Sequence, residues 1–216
     1  MTNGATGKID FNADIGESFA GYELGLDSEI VKYITSANIA TGFHAGDPDW
    51  MAKTVALAVD NSVGIGAHPA YPDLAGFGRR NMDLTPAEVH NAVTYQVGAL
   101  AAFAPNRKLQ HVKPHGALYN TAVRDAGVAE AIVLAVKAFD PNLIHVVLAG
   151  SQWEQIARSH GVRVARECYA DRAVTAEGTL VPRSQPGAVV HDPDEVVARS
   201  LKLATEGKVT AVDGTE

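Results

Sequence analysis

The stretch "SANIATGFHAGDPDWMAKTVALAVDNSVGIGAHP", Ser36 to Pro69, combines two kinds of pattern. It opens on a short apolar run, continues into a segment with helical periodicity and closes on a second apolar run. Asp47 followed by Pro48 is typical of a helix start, because aspartate caps free backbone N–H groups and proline is tolerated in the first turn. The stretch therefore predicts a strand, a helix and a second strand.

The same alternation runs through the rest of the chain. Other helix starts are the capping box that begins at Thr85 and the Asp192–Pro193 pair, whose helix is predicted to end at Gly207. Strands that alternate with amphipathic helices lie parallel in a sheet and are joined by crossover helices. The predicted strands lie near 9–13, 37–41, 64–67, 110–113, 144–148 and 162–167, with a short remnant near 209–212.

Two α/β architectures fit this order, a closed barrel and an open doubly wound sheet. No G-x-G-x-x-G motif follows the first strand, which removes the main support for a dinucleotide-binding sheet. Seven strand signals favour a seven-unit β/α barrel, TIM-barrel-like but smaller than the eightfold form, with its last unit truncated. The sequence shows no linker rich in Pro, Gly or Ser, so residues 1–216 are predicted to form a single barrel domain.

Composition excludes several classes of function. The net charge is -7 and no basic run occurs, which argues against a nucleic-acid partner. No apolar run approaches the roughly 20 residues of a membrane span, and the amino terminus has no apolar secretory segment. A single cysteine, Cys168, rules out an internal disulfide framework. We therefore expect a cytoplasmic protein with no nucleic-acid or membrane partner.

Polar side chains follow five of the predicted strands at their carboxyl ends. In a parallel barrel these ends lie on one rim, where such folds place their active sites. Residues far apart in sequence are therefore expected to converge. The residues concerned are Asn12, Asp14 and Glu17 after the first strand, Asn38 and His44 after the second, His68 after the third, Lys113 and His115 after the fourth, and Glu167, Asp171 and Arg172 after the sixth.

Two kinds of chemistry are open at this rim. Nitrogen and oxygen donors from three histidines and a carboxylate are suited to a divalent metal ion. The candidate ligands are Asp14, His44, His68 and His115.

The alternative is metal-free acid–base catalysis. Asp14 or Glu17 would serve as the base, and His115 or Lys113 would stabilise an oxyanion. An arginine pair, Arg79 and Arg80, follows the third strand in a long glycine-containing loop. A guanidinium group binds a carboxylate through two parallel hydrogen bonds, so either arginine is a candidate to hold an acidic substrate.

Five sequence blocks resemble the LamB/YcsF family. They are "DFNADIGESF", "SANIATGFHAGDP", "GAHPAYPDLAGFGRRNM", "HVKPHGALYN" and "ECYADRAVTAEGTLVPRSQPGAVV", and the resemblance runs from about Ile9 to the end of the chain. It implies a barrel related to the polysaccharide-deacetylase barrels. It also implies ATP-dependent hydrolysis of 5-oxoproline to L-glutamate, in a 5-oxoprolinase whose A subunit works with subunits B and C.

The substrate of that reaction is a lactam that carries a free carboxylate. The arginine pair would then bind substrate together with Asn12, Asn38, Glu167, Asp171 and Arg172. No phosphate-binding loop occurs in the chain, so ATP is expected to be handled by the partner subunits. Two other functions stay open, a metal-dependent deacetylase acting on carbohydrate and a non-catalytic lactam-binding subunit.

Overall fold

The computed structural model describes residues 9–216. Six strands and seven α-helices follow one another in this part of the chain, with two short 3-10 turns at Leu74–Gly76 and Pro105–Arg107. In chain order the elements are β1 Asn12–Ile15, α1 Asp27–Ile30, β2 Ser36–Ala40, α2 Pro48–Asp60, β3 Gly64–His68, α3 Pro86–Phe103, β4 His111–Val112, α4 Gly116–Arg124, α5 Ala126–Phe139, β5 Ile144–Leu148, α6 Gln152–Ser159, β6 Arg163–Glu167 and α7 Pro193–Glu206.

The six strands form one sheet in the order β1-β2-β3-β4-β5-β6. The pairings from β1 to β5 are parallel, and the register places Asp14 beside Asn38 and Ala40 beside His68. The α/β class and the six predicted strands are confirmed. Because parallel neighbours end at the same edge, the loops that follow β1, β2, β3 and β4 emerge side by side.

The helix starts predicted from the sequence are also confirmed. The Asp47 side chain accepts a hydrogen bond from the backbone of Trp50, and Thr85 forms the complete capping box. Asp192 caps α7, which ends at Gly207 in the left-handed conformation. These caps fix where each helix begins or ends, because they bond backbone groups that have no partner within the helix.

Burial of both faces explains why the strands are nearly continuous in apolar residues. Ala37, Ile39 and Ala67 in the central strands are fully buried. Helices α3 and α5 pack on one another through an apolar seam, and burying a side chain such as Leu100 there stabilises the fold by roughly 2 kcal/mol. The buried residues of the two helices include Val93, Val97, Leu100, Val128, Ile132 and Val136.

The chain divides into two compact units, residues 10–147 with 152–165, and residues 148–151 with 166–216 and Ile9. The second unit has its own small apolar cluster of Ala173, Val181 and Ala188. Its strand-like loops are linked by bridges such as that between Val174 and Leu180. The prediction of a single domain over residues 1–216 stays a prediction, and residues 1–8 lie outside the described residues.

The short seventh strand predicted near 209–212 is wrong. This segment forms no strand, because its backbone is bonded within a turn and to a neighbouring loop. The Ala211 amide donates to the carbonyl of Thr215, and the Val212 amide donates to that of Val174. Within residues 9–216, no helix is both long enough and apolar enough to cross a membrane.

Candidate active site

Four side chains from the ends of neighbouring strands meet in the first unit. Glu17 follows β1, His44 follows β2, His68 is the last residue of β3, and His115 follows β4. One nitrogen or oxygen atom of each lies within 4.8 Å of the others. These four side chains therefore lie together, and we call the four the histidine cluster.

Solvent reaches the cluster from the side of the Glu17 and Asp14 carboxylates. The side chains of His44, His68 and His115 are 0%, 1% and 6% exposed, whereas those of Glu17 and Asp14 are 19% and 37% exposed. The histidines thus form the inner wall of the site, and the carboxylates stand at its mouth.

Two backbone carbonyl groups fix the tautomers of His68 and His115. His68 Nδ1 lies 2.6 Å from the carbonyl oxygen of Lys113, and His115 Nε2 lies 2.9 Å from that of Phe77. A carbonyl oxygen only accepts, so each of these nitrogens carries a proton. The remaining nitrogens, His68 Nε2 and His115 Nδ1, face one another at 2.9 Å.

Phe77 holds His115 through both its backbone and its ring. Its φ angle of 53° lies in the left-handed region, which a bulky residue adopts only under constraint, and this conformation presents its carbonyl to His115. The Phe77 ring meets the His44 and His115 rings edge to face, and these two histidine rings stack at 3.9 Å. Sequence reasoning missed Phe77, because an apolar residue in a loop carries no chemical signal.

Two glycines make this close packing possible. A Cβ atom at Gly78 would lie 2.7 Å from the Cβ of His44 and 2.9 Å from Cδ2 of His115. Gly116 has a φ of 52°, and a Cβ atom there would lie 2.6 Å from the carbonyl oxygen of Gly78. The chain therefore turns tightly after His115, and this turn requires glycine.

A network of amides and charges continues from the cluster along β1, β2 and β4. Asp14 Oδ1 accepts hydrogen bonds from Asn38 Nδ2 at 2.9 Å and from Lys113 Nζ at 3.4 Å, while Oδ2 lies 3.3 Å from His68 Nε2. Asn12 Oδ1 also accepts from Asn38 and Lys113, at 2.7 and 3.1 Å. Asn12 and Asn38 therefore orient the ion pair between Asp14 and Lys113.

His111 belongs to the same network and was not among the predicted site residues. Its Nε2 donates to Asn38 Oδ1 at 2.8 Å, because the amide of Asn38 is already used as a donor to Asn12 and Asp14. Burial lowers the pKa of His111 to about 4. Strand alternation could have revealed His111 from the sequence. Residues two positions apart along a strand face the same side, so His111 shares a side of β4 with Lys113, which was predicted.

The protonation states in the cluster follow from burial and from the nearby carboxylate. Burial and the charge on His68 lower the pKa of His44 to about 2 and that of His115 to about 3. Burial also acts to lower the pKa of His68, but the Asp14 carboxylate outweighs it and the pKa is raised. His44 and His115 are therefore neutral at pH 7, whereas the Asp14 carboxylate favours the protonated form of His68.

The pKa values of the two carboxylates at the mouth, Asp14 and Glu17, are shifted in opposite directions. Burial would raise the pKa of Asp14, but His68 and Lys113 hold it well below its usual range. Burial raises the pKa of Glu17 above its usual range. Asp14 is consequently a stable anion, whereas Glu17 is better able to accept a proton.

The two arginines of the predicted pair have different environments. Arg80 donates from Nε and Nη2 to the buried carboxylate of Asp73, with the Nε contact at 2.9 Å. Arg79 is exposed, its guanidinium stands 5.2 Å from the centre of the Phe77 ring, and its charge acts on Glu17. No carboxylate among residues 9–216 pairs with Arg79. Substrate binding by either arginine stays a prediction, and the bond to Asp73 argues against Arg80.

The remaining predicted residues belong to the second unit. Glu167 is buried and accepts a hydrogen bond from the Tyr169 hydroxyl at 2.7 Å. The Asp171 carbonyl accepts from the amide of Val190. Arg172 donates to the carbonyl oxygens of Val181 and Ala188, contacts that tie the loops of this unit together. Their predicted roles in substrate binding stay predictions.

The carboxylate that lies together with the three histidines is that of Glu17. The predicted metal ligands were Asp14 with His44, His68 and His115, but the cluster of donor atoms contains Glu17 in place of Asp14. The reason is the direction of the side chains, because the Asp14 carboxylate is turned towards Lys113 and Asn38 and touches only His68 among the histidines.

Comparison with known proteins identifies the family of the chain. The model of the LamB/YcsF family matches residues 9–216. The chain belongs to the LamB/YcsF family. Among other members, the A subunit of 5-oxoprolinase from Pyrococcus furiosus is 56% identical over 209 residues, which cover 96% of this chain and 82% of the relative. The protein of the same name from Syntrophobacter fumaroxidans is 54% identical over 211 residues, covering 97% and 83%.

A solved structure shows the same fold. The crystal structure of the lactam utilization protein from Thermus thermophilus superposes on this LamB/YcsF member with a TM-score of 0.91 at 51% sequence identity. The match covers 96% of this chain and 85% of the other.

Proposed function

We propose that this LamB/YcsF member is the A subunit of a 5-oxoprolinase, which hydrolyses the cyclic amide of 5-oxo-L-proline to L-glutamate. Relatives that are more than half identical over nearly the whole chain carry that name, and the similar crystal structure is of a lactam utilization protein. The observation that carries the proposal is the convergence of acids, histidines and a lysine at the ends of four adjacent strands, with solvent access at the carboxylates.

Opening a lactam requires a base that activates water and a cation that stabilises the oxyanion formed at the carbonyl. Glu17 suits the role of base, because burial raises its pKa and its side chain is accessible. Asp14 holds Lys113 in place and is the second candidate base. Lys113 is the proposed oxyanion partner, with its Nζ 3.4 Å from Asp14 Oδ1.

His115 needs a different role from the oxyanion donor considered for it from the sequence. Its one proton is on Nε2 and is donated to the Phe77 carbonyl, so the neutral ring has no second N–H group to offer. Its Nδ1 lone pair points into the site, and His115 therefore acts there as an acceptor or a ligand.

The substrate carboxylate needs its own partner. Arg79 is the exposed cation beside Glu17, and it stands over the Phe77 ring at the mouth of the site. A guanidinium group in that position binds a carboxylate in a geometry that a lysine does not provide. We assign carboxylate recognition to Arg79 rather than to Arg80.

The proposal extends to the cofactor, the partners and the compartment. ATP would be consumed by the complex and bound by subunits B and C, since this chain carries no phosphate-binding loop. The single cysteine is consistent with the cytoplasm. The sequential order of the six strands is the order that a β/α barrel requires, and this order supports the proposal of a seven-unit barrel related to the polysaccharide-deacetylase barrels.

The test is glutamate release from 5-oxoproline by this chain combined with purified subunits B and C and ATP. We expect turnover only in the complete mixture, no ATP hydrolysis by this chain alone, and a loss of roughly 100-fold in the Asp14→Asn variant. Binding of 5-oxoproline without turnover in the complete mixture would instead indicate a non-catalytic lactam-binding subunit. Release of acetate from acetylated oligosaccharides, with no glutamate, would indicate the carbohydrate deacetylase.

A further inference from the structure

We propose that Glu17, His68 and His115 form a binding site for one divalent transition-metal ion of the zinc type, and that His44 supports this site without being a ligand. The inference goes beyond the proposed function, because it depends on side-chain geometry and not on the identity of the substrate.

The first observation is that two ring nitrogens from neighbouring strand ends, His68 Nε2 and His115 Nδ1, face one another. The protons of His68 and His115 are committed to the carbonyl groups of Lys113 and Phe77, at 2.6 and 2.9 Å. Two bare ring nitrogens at 2.9 Å repel one another unless a proton or a cation lies between them. The gap between His68 Nε2 and His115 Nδ1 therefore holds one positive charge, either a proton or a metal ion that replaces it.

The carbonyl contacts are also those of metal-binding histidines. A histidine ligand almost always donates its second N–H group to a carbonyl or carboxylate, which fixes the ring and its tautomer. His68 and His115 both meet this requirement through the backbone. Phe77 has a left-handed φ of 53°, and this constrained backbone conformation directs its carbonyl group to His115.

Two of the spacings between donor atoms fit one small cation, and all the donor atoms lie within 4.8 Å of one another. Zinc lies about 2.0–2.2 Å from nitrogen and oxygen ligands, so ligand atoms at angles between 90° and tetrahedral are roughly 2.9–3.5 Å apart. The distance from His68 Nε2 to His115 Nδ1 is 2.9 Å, and that from His115 Nδ1 to Glu17 Oε1 is 3.5 Å. Two histidines and a carboxylate are a donor set that zinc and similar ions bind in sites with open positions.

His44 does not fit the role of ligand. Its Nε2 donates to Glu17 Oε1 at 2.9 Å, and its ring lies parallel to that of His115, so the ring-plane lone pairs of the two do not converge. Binding a metal through Nε2 would place a proton on Nδ1, which is buried and has no partner within residues 9–216. His44 therefore orients the Glu17 carboxylate.

Such a site would be open towards solvent on the side of Asp14, whose Oδ2 lies 3.3 Å from His68 Nε2. A bound divalent ion lowers the pKa of a water molecule or polarises a carbonyl group. With Glu17 bound to the ion, the role of base would pass to Asp14, the second candidate base, which stands beside the ligands.

The experiment is a calorimetric titration of the chelator-treated chain with Zn²⁺, repeated with Co²⁺ while its visible absorption is recorded. We expect one Zn²⁺ per chain and Co²⁺ bands of a four- or five-coordinate ion. Glu17→Gln and His115→Ala should each weaken Zn²⁺ binding at least ~100-fold, and His44→Gln, which keeps an N–H donor near Nε2, by no more than ~10-fold. His160→Gln is the matched control, because His160 also pairs with a carboxylate, Glu130, at 3.0 Å but lies outside the cluster.

The results that overturn the inference are specific. Absence of stoichiometric binding, or binding that survives both Glu17→Gln and His115→Ala, excludes the site. A loss in His44→Gln as large as that in His115→Ala refutes the proposed set of ligands. Glu17→Gln changes a partly exposed side chain, so the test does not depend on whether the His115 variant folds. None of these readouts uses turnover, so failure of the metal site and failure of the proposed reaction are told apart.

Discussion

Arg79 and Arg80 are adjacent in sequence, but replacing them should have different effects, on substrate binding for Arg79 and on stability for Arg80. Arg80 is bonded to Asp73, whereas the Arg79 guanidinium faces solvent beside the histidine cluster. If Arg79 binds the carboxylate of 5-oxoproline, the Arg79→Ala variant should bind that substrate less tightly. A lactam without a carboxylate, 2-pyrrolidinone, should bind as well as before.

The size of the effect follows from the exposure of the contact. A hydrogen bond to a charged group contributes about 1.5–3 kcal/mol, and solvent screening at an exposed site favours the lower limit. At about 1.4 kcal/mol for each factor of ten, the loss corresponds to a roughly tenfold higher KM for 5-oxoproline. The inhibition constant of 2-pyrrolidinone against 5-oxoproline should change by less than about twofold.

The assay is steady-state glutamate production by the assembled enzyme, with Arg80→Ala as the adjacent control. Arg80→Ala should leave KM near its normal value and lower the Tm, because it removes two donors from the buried Asp73 carboxylate. An unchanged KM in Arg79→Ala would refute the assignment. So would an equal weakening of both ligands, since that outcome reflects a general change in the site.

Three further predictions concern the cluster and the core. Gly78→Ala should lower the free energy of unfolding in urea by about 2–4 kcal/mol, because Gly78 has a positive φ and the added Cβ would clash with His44 and His115. A free energy of unfolding within about 0.5 kcal/mol of the unaltered protein would contradict this. His115→Ala should lower lactam turnover at least ~100-fold with the fold retained by circular dichroism, and near-normal turnover would make it an ordinary loop residue. Burial lowers the pKa of His145 from 6.5 to about 4, so between these pH values the unfolded chain binds a proton that the folded chain does not, and the free energy of unfolding falls as the pH drops. His145→Leu should reduce this fall by at most about 3 kcal/mol. An identical pH dependence of stability in both proteins would disprove the prediction.

The sequence by itself determined the order of the secondary structure and included the four residues of the histidine cluster among its candidates, but not His111 or Phe77 beside them. Apolar runs and helical periodicity are local properties, so β1 to β6 and the caps at Asp47, Thr85 and Asp192 could be located from neighbouring residues alone. Parallel strands end on one edge, and that general property was enough to expect Glu17, His68 and other strand-end residues to lie close together.

A local pattern also produced the one wrong strand. The segment near 209–212 has the composition of a strand, but a strand exists only where a neighbour accepts its hydrogen bonds. The amide of Val212 bonds instead to a loop at Val174, and a turn closes around Ala211. Pairing is a tertiary property that the sequence pattern does not contain.

Only the tertiary structure decided which of the converging groups contact one another. Asp14 and Glu17 follow the same strand, yet their carboxylates turn to different partners, and only Glu17 joins the three histidines. Arg79 and Arg80 differ in the same respect. The direction of a side chain depends on the packing around it, and the groups that fix His115, such as the Phe77 carbonyl, are backbone atoms that every residue type possesses. The chemistry of the site was therefore present in the sequence, but its geometry was set by packing.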